Sequence, residues 1–174
     1  MTDVFSARRR SEVMSKIRST GTRVEDVLFA IVRESVGPHR RIDRNVKGLP
    51  GRPDIVIPSL RLAIFADGCF YHGFPKHGHI PKSNRRYWLP KLAGNCKRDR
   101  LNRRSLRRLG FSVWAIWEHA LEGSRIRHTR LLLENRVKRL MKQRNRGYSL
   151  GRPSELSNNV LLFQLDQHRS QVSA

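Results

Sequence analysis

Residues 51–73 read GRPDIVIPSLRLAIFADGCFYHG. DIVI and LRLAIFA are β-branched or apolar runs on either side of Pro58-Ser59, the pattern of a hairpin in the core of a sheet. Each run has chemistry at one end. Asp54 opens the first, behind a turn marked by Gly48, Pro50, Gly51 and Pro53. The second closes on Asp67, Cys69, Phe70, Tyr71 and His72. An aspartate at the start of a core strand is costly to bury unless it is paired or metal-bound; an exposed turn residue after Pro53 carries no such cost. Adjacent strand ends can bring Asp54, the carbonyl of Ala66 and the ring of His72 together.

Upstream, GTRVEDVLFAIVRESVG reads as a helix. Thr22 is a good N-cap, Glu25 sits three positions on, and Val24, Leu28 and Ile31 line one face. Gly37-Pro38 ends it, and RRIDRNV is a short candidate strand. Downstream, GCFYHGFPKHGHIPKSN is too rich in Gly, Pro and His for a regular element. From Ser83 the chain turns helical, with Trp88, Leu92 and Asp99 among its positions and Gly110 as its stop. Pro90 falls early, where proline is tolerated. FSVWAIW is a further strand and SRIRHTRLLLENRVKRLMKQRNRG a last, basic helix. The expected fold is α/β, a short central mixed sheet flanked by helices, in one domain over residues 1–147. Residues 148–174 form a polar tail around the apolar patch VLLFQL, either disordered or loosely docked.

The 174 residues carry 36 Lys plus Arg against 14 Asp plus Glu, a net charge of +22. Like charge at this density destabilises a compact state unless a polyanion relieves it, and each DNA or RNA phosphate neutralised also releases counterions. No apolar run approaches the ~18 residues of a membrane span, and the N-terminus lacks the apolar core of a secretory signal. A cytoplasmic, nucleic-acid-binding protein is expected, with no membrane partner. The only cysteines, Cys69 and Cys96, read as free thiols.

A carboxylate and a carbonyl are oxygen donors suited to Mg²⁺, which keeps its other positions for water and phosphate oxygens. An imidazole beside them can take a proton from an attacking water near neutral pH. With a basic surface, these parts describe phosphodiester hydrolysis.

GLPGRPDIVIP, AIFADGCFYHG, PKSNRRYWLPKLAGNCKRDR and LGFSVWAIWEHAL, with MSKIRSTGTRVE near the N-terminus, closely resemble the very short patch repair (Vsr) endonucleases over roughly residues 8 to 140. The resemblance implies a restriction-endonuclease-like fold in a bacterial, nucleoid-associated enzyme. It implies Mg²⁺-dependent nicking of double-stranded DNA beside a T·G mismatch left by deaminated 5-methylcytosine, which starts strand-directed repair. The enzyme would act as a monomer, with mismatch-repair proteins as partners. By the same resemblance Asp54 is the metal-binding aspartate, Ala66 gives a main-chain carbonyl to the metal, and His72 activates water. Glu25 supports the site from the first helix, a role that can coexist with capping. Asp67 stands where some members carry histidine; it either strengthens metal binding or accepts a backbone hydrogen bond.

Phe70, Tyr71 and Trp88 match residues that the family wedges between bases at the mismatch, where unstacking is cheapest. Tyr71 replaces the usual tryptophan. Lys91 and Asn95 are further expected DNA contacts, whereas Trp114 and Trp117 read as core. The family also carries a structural Zn²⁺. Cys69, His77 and His119 match ligand positions, Phe74 takes the place of a cysteine, and His79 is the replacement, giving a Cys-His₃ set beside the alternative of no zinc. The rival to an endonuclease is a noncatalytic basic nucleic-acid-binding module on the same fold, which would have no need of Asp54 or His72.

Overall fold

The computed structural model describes residues 21–73 and 84–145. Helix α1 (Arg23–Val36) starts with a reciprocal cap: the Thr22 hydroxyl accepts from Glu25 N–H at 3.4 Å, and Glu25 Oε1 accepts from Thr22 N–H at 3.3 Å. That satisfies two backbone donors that a helix start leaves free. The helix ends at Gly37, and Leu28, Ile31, Val32 and Val36 are its buried stripe.

Strands β1 (Asp43–Arg44), β2 (Ile55–Ile57), β3 (Leu62–Asp67) and β4 (Ser112–Trp117) form the sheet of the described residues, in the order β1-β2-β3-β4. The first three run antiparallel, with Asp43 opposite Val56 and Ile55 opposite Ile64. The hairpin expected at Pro58-Ser59 is present, closed by a 3₁₀ turn at Pro58–Leu60 and by Arg61 at φ 45°. Strand β4 runs parallel to β3, Leu62 against Ser112 through Asp67 against Trp117. A parallel neighbour needs a long crossover, and helix α2 (Arg85–Arg108), with Pro90 inside it, supplies one. Helix α3 (Arg125–Asn145) follows β4.

The period-2 alternation of the strands sorts the core into two faces. Ile55, Ile57, Leu62, Ile64, Trp114 and Ile116 face α1 and α3, where Leu133 and Val137 complete a large apolar cluster. Ala63 and Val113 face α2 and pack with Leu106, flanked by Phe65 and Phe111. Trp114 is core, as expected; Trp117 is half-buried and stacks on the His119 ring. This is the mixed α/β architecture expected of a restriction-endonuclease-like fold. No described helix is long and apolar enough to cross a membrane. His77 and His79, Phe74, the domain boundary at residue 147 and the tail lie outside the described residues.

Candidate active site

The adjacency of β2 and β3 puts the start of one beside the end of the other, and a cleft of about 640 Å³ opens there. Asp54, Ala66 and His72, the three groups expected to meet, all line it, and so does Glu25. Two glycine-dependent turns close the cleft against α2. Gly51, at φ 75°, leaves no room for a side chain, since a Cβ would lie 2.9 Å from Asn102 Cβ. Gly73, at φ 70°, passes Cys96, whose Sγ would be 3.1 Å from a Cβ. Both conformations are ones that only glycine adopts freely.

Asp54 is a partly buried carboxylate of the cleft lining. Its Oδ2 accepts the Ala66 N–H at 2.8 Å, so it is tied to β3 rather than exposed in the turn after Pro53. Burial pushes its pKa up to about 6; the Ala66 hydrogen bond works against that rise, and the charges of Glu25 and Asp67 add to it.

His72 sits in the turn after β3, where its N–H donates to Gly68 O at 3.1 Å. Its Nδ1 is 2.6 Å from Asp99 Oδ2 on α2. Burial alone would lower the His72 pKa, but the hydrogen bond to Asp99 and the charges of Asp67 and Asp99 outweigh it and hold the pKa above its ordinary value. With Nδ1–H committed to a carboxylate, the free nitrogen is the basic one. Asp99 had appeared in the sequence only as a helical position. Its role depends on the turn folding back across 27 residues of chain, and spacing carries no such signal.

The same turn is latched to α2 at two more points. Asn95 Nδ2 donates to Tyr71 O at 3.0 Å, and Cys96 Sγ to His72 O at 3.3 Å. Asn95 Oδ1 in turn accepts from Arg98, so this expected DNA contact is engaged within the protein at both ends of its amide. Cys69 N–H donates to Glu118 Oε2 at 3.2 Å, joining the turn to the end of β4.

Glu25 is 6% exposed. Beyond its capping bonds, its Oε2 accepts from Gly21 N–H at 3.0 Å and from Asn45 Nδ2 at 3.3 Å. Capping and cleft lining do coexist in this residue. Asp67 is 2% exposed and accepts a hydrogen bond from a side chain, Arg103 Nη2, at 2.5 Å, a partner that neither sequence expectation named.

Phe70, Tyr71 and Trp88 form one cluster, of which Tyr71 lines the cleft. Phe70 packs edge-on to Tyr71 and to Trp88, each at 5.0 Å between centroids. Tyr87, which the sequence reading passed over, extends the chain at 5.2 Å from Trp88 and is 49% exposed. Lys91 donates to the Tyr87 hydroxyl at 2.8 Å and lies within cation–π range of Tyr87 and Trp88.

Cys69 and His119, both buried, are in contact at 3.0 Å between Sγ and Nδ1. Burial pushes the Cys69 thiol pKa up. Among the described residues no three His, Cys, Asp or Glu side chains converge closely enough to hold an ion.

A family model described as DNA mismatch endonuclease Vsr matches residues 2–77. The chain is 40% identical over 144 residues to the type II nicking enzyme V.NmeAIP of Neisseria meningitidis serogroup A, a match covering 82% of this chain and 98% of that one. It is 41% identical over 119 residues to the type II nicking enzyme V.XorIIP of Xanthomonas oryzae pv. oryzae, covering 68% and 85%. With the DNA mismatch endonuclease Vsr of Escherichia coli it shares 35% identity over 128 residues, covering 71% and 78%.

Proposed function

The chain belongs to the DNA mismatch endonuclease Vsr family, and from that premise we propose that it nicks one strand of duplex DNA beside a T·G mismatch by Mg²⁺-dependent hydrolysis. The observation that carries the proposal is the His72–Asp99 pair, 2.6 Å apart, in one cleft with Asp54. A noncatalytic binding module has no use for an oriented base.

Asp99 accepts Nδ1–H and aims the other ring nitrogen of His72 at the cleft, where it takes the proton of the attacking water. Asp54 and the Ala66 carbonyl would hold the cation; Asp54 keeps one carboxylate oxygen free of the Ala66 bond, and the neighbouring charges of Glu25 and Asp67, which add to the rise that burial causes, suit a hard divalent ion. When bound, Mg²⁺ supplies Lewis-acid polarisation of the phosphodiester. Phe70, Tyr71 and Trp88 would enter the base stack at the mismatch, with Lys91 and the arginine-rich surface meeting phosphates. A structural Zn²⁺ on Cys69 and His119, completed by His77 and His79, is part of the same proposal; the Cys69–His119 contact supports it. Zinc analysis of chain purified without added metal tests it, and a zinc-free folded chain would end it.

The enzymatic test uses T·G-containing and fully paired duplexes, each with Mg²⁺ or EDTA. Nicking of the T·G duplex alone, and only with Mg²⁺, is expected. Equal nicking of both duplexes would remove the mismatch assignment, and undiminished nicking in EDTA the metal.

A further inference from the structure

Arg103 is a cleft residue for which hydrolysis by Asp54 and His72 has assigned no task. It stands one helical turn beyond Asp99 on the same side of α2, and its bond to Asp67 fixes the guanidinium. Its side chain is 17% exposed, it lies over the Phe65 ring at 5.5 Å, and its Nε is buried without a hydrogen-bond partner. A buried arginine–carboxylate pair adds little net stability, because desolvating both ions offsets their attraction. The pair is better explained by where it puts a cation.

The cleft needs one. Its lining includes the carboxylates of Glu25, Asp54, Asp67, Asp99 and Glu118, and among the described residues its only arginines are Arg52, which is exposed, and Arg103. A phosphodiester entering this cleft is itself an anion, and its non-bridging oxygens gain charge as water attacks. A guanidinium suits those oxygens in shape and charge. One already clamped by Asp67 and Phe65 needs no reorganisation at the moment of reaction.

We propose that Arg103, held by Asp67, donates to a non-bridging oxygen of the phosphodiester that is cut and so fixes that phosphate against His72. The inference rests on the nicking function proposed above. It turns on the pairing of Asp67 with Arg103, and it gives Asp67 a role as the positioning residue for Arg103.

Single-turnover nicking of T·G duplex tests it, with the scissile phosphate unmodified or carrying sulfur at either non-bridging position. Arg103→Met should slow nicking of the unmodified duplex by about 100- to 1,000-fold. Duplex affinity should barely change, since one phosphate contact among many is lost. Arg103→Lys should recover part of the rate, keeping the charge without the fork, and Asp67→Asn should fall between. The sulfur position that slows the wild-type chain most should lose its special effect in Arg103→Met. Wild-type rates in Arg103→Met, or slowing that leaves the sulfur preference unchanged, would overturn the inference. If Arg103→Met does not fold, Arg103→Lys and Asp67→Asn carry the same sulfur readout. A wild-type chain that nicks no duplex removes the nicking function and the inference with it; one that nicks while the variants keep its rate and sulfur preference removes the inference alone.

Discussion

Leu62–Ile64 and Ala66–Asp67 belong to one strand, yet they sit in opposite surroundings. Leu62 and Ile64 are sealed in the same apolar cluster as Ile57, Ile116 and Leu133. A few residues on, the strand runs out among carboxylates, arginines and an imidazole, Glu25, Asp54, Asp99, Arg103 and His72 among them. In the first region every buried group removes apolar area from water and stabilises the fold. In the second, burial raises the Asp54 pKa to about 6 against an ordinary 3.8, which marks a group the fold holds at a cost. One end of β3 secures the structure, and the other spends part of that stability on chemistry.

The comparison can be broken from either side. The largest effect is expected from Asp54→Asn, which keeps the size and the Ala66 hydrogen bond but not the charge. Nicking should fall by about three orders of magnitude or more, because several kcal/mol of cation-linked stabilisation goes with the carboxylate and each ~1.4 kcal/mol is tenfold. Single-turnover rates at saturating enzyme measure this, and DNA affinity should survive.

Leu133→Ala should do the reverse. Leu133 is fully buried, and its truncation should cost about 2–5 kcal/mol. Urea unfolding would show that loss, while the nicking rate per folded molecule stays near the parent value. A Leu133→Ala chain that is fully stable but inactive would erase the division between the two regions.

Asp99→Asn sharpens the picture within the cleft. Losing a charge-assisted bond to His72 should slow nicking by about 10- to 100-fold. Asp99 raises the His72 pKa, and a general base acts when deprotonated, so the rate rises with pH through that value. Without Asp99 the rising limb of the pH–rate profile should move to lower pH. A limb that stays in place would mean that His72 is not the titrating base.

The effects confined to binding belong to the aromatic cluster. Phe70→Ala and Trp88→Ala should each cost roughly 5- to 150-fold in binding, the ~1–3 kcal/mol of one base stack, and mainly on T·G duplex. Both residues pack on neighbouring rings, so circular dichroism on the variants comes first. Folded variants with an unchanged T·G preference would leave these rings as packing alone.

The apolar region was legible from sequence because periodicity records burial directly. The Thr22–Glu25 cap, the hairpin at Pro58-Ser59, strand β4 and both long helices stand where pattern and turn residues placed them. The cleft was legible only in part. Asp54, Ala66 and His72 were found because they lie at the ends of one hairpin. Asp99 and Arg103 were missed as site residues because they lie on a helix so rich in Arg and Lys that two more charged positions look like solvated surface. Their common feature, a four-residue spacing that puts both on one face of α2 with Asn95, becomes informative once the turn after β3 is known to fold back onto that face. The two-sided engagement of Asn95 was invisible for the same reason.

The central claim, that the cleft holds Asp54 against its own stability in order to bind a cation, is tested most directly by the unfolding free energy of the parent and Asp54→Asn chains from pH 4 to pH 8, without and with Mg²⁺. A folded-state pKa of about 6 above the ordinary 3.8 means that the native chain holds the Asp54 proton more tightly than the unfolded one. Stability from this group is therefore complete below about pH 4 and lost as pH rises through about 6. The two chains should be equally stable near pH 4, with Asp54→Asn ahead by up to about 3 kcal/mol above pH 7. Added Mg²⁺ should narrow that gap by stabilising the parent alone. An Asn variant no more stable than the parent at pH 8, or a gap that Mg²⁺ leaves untouched, would contradict the account.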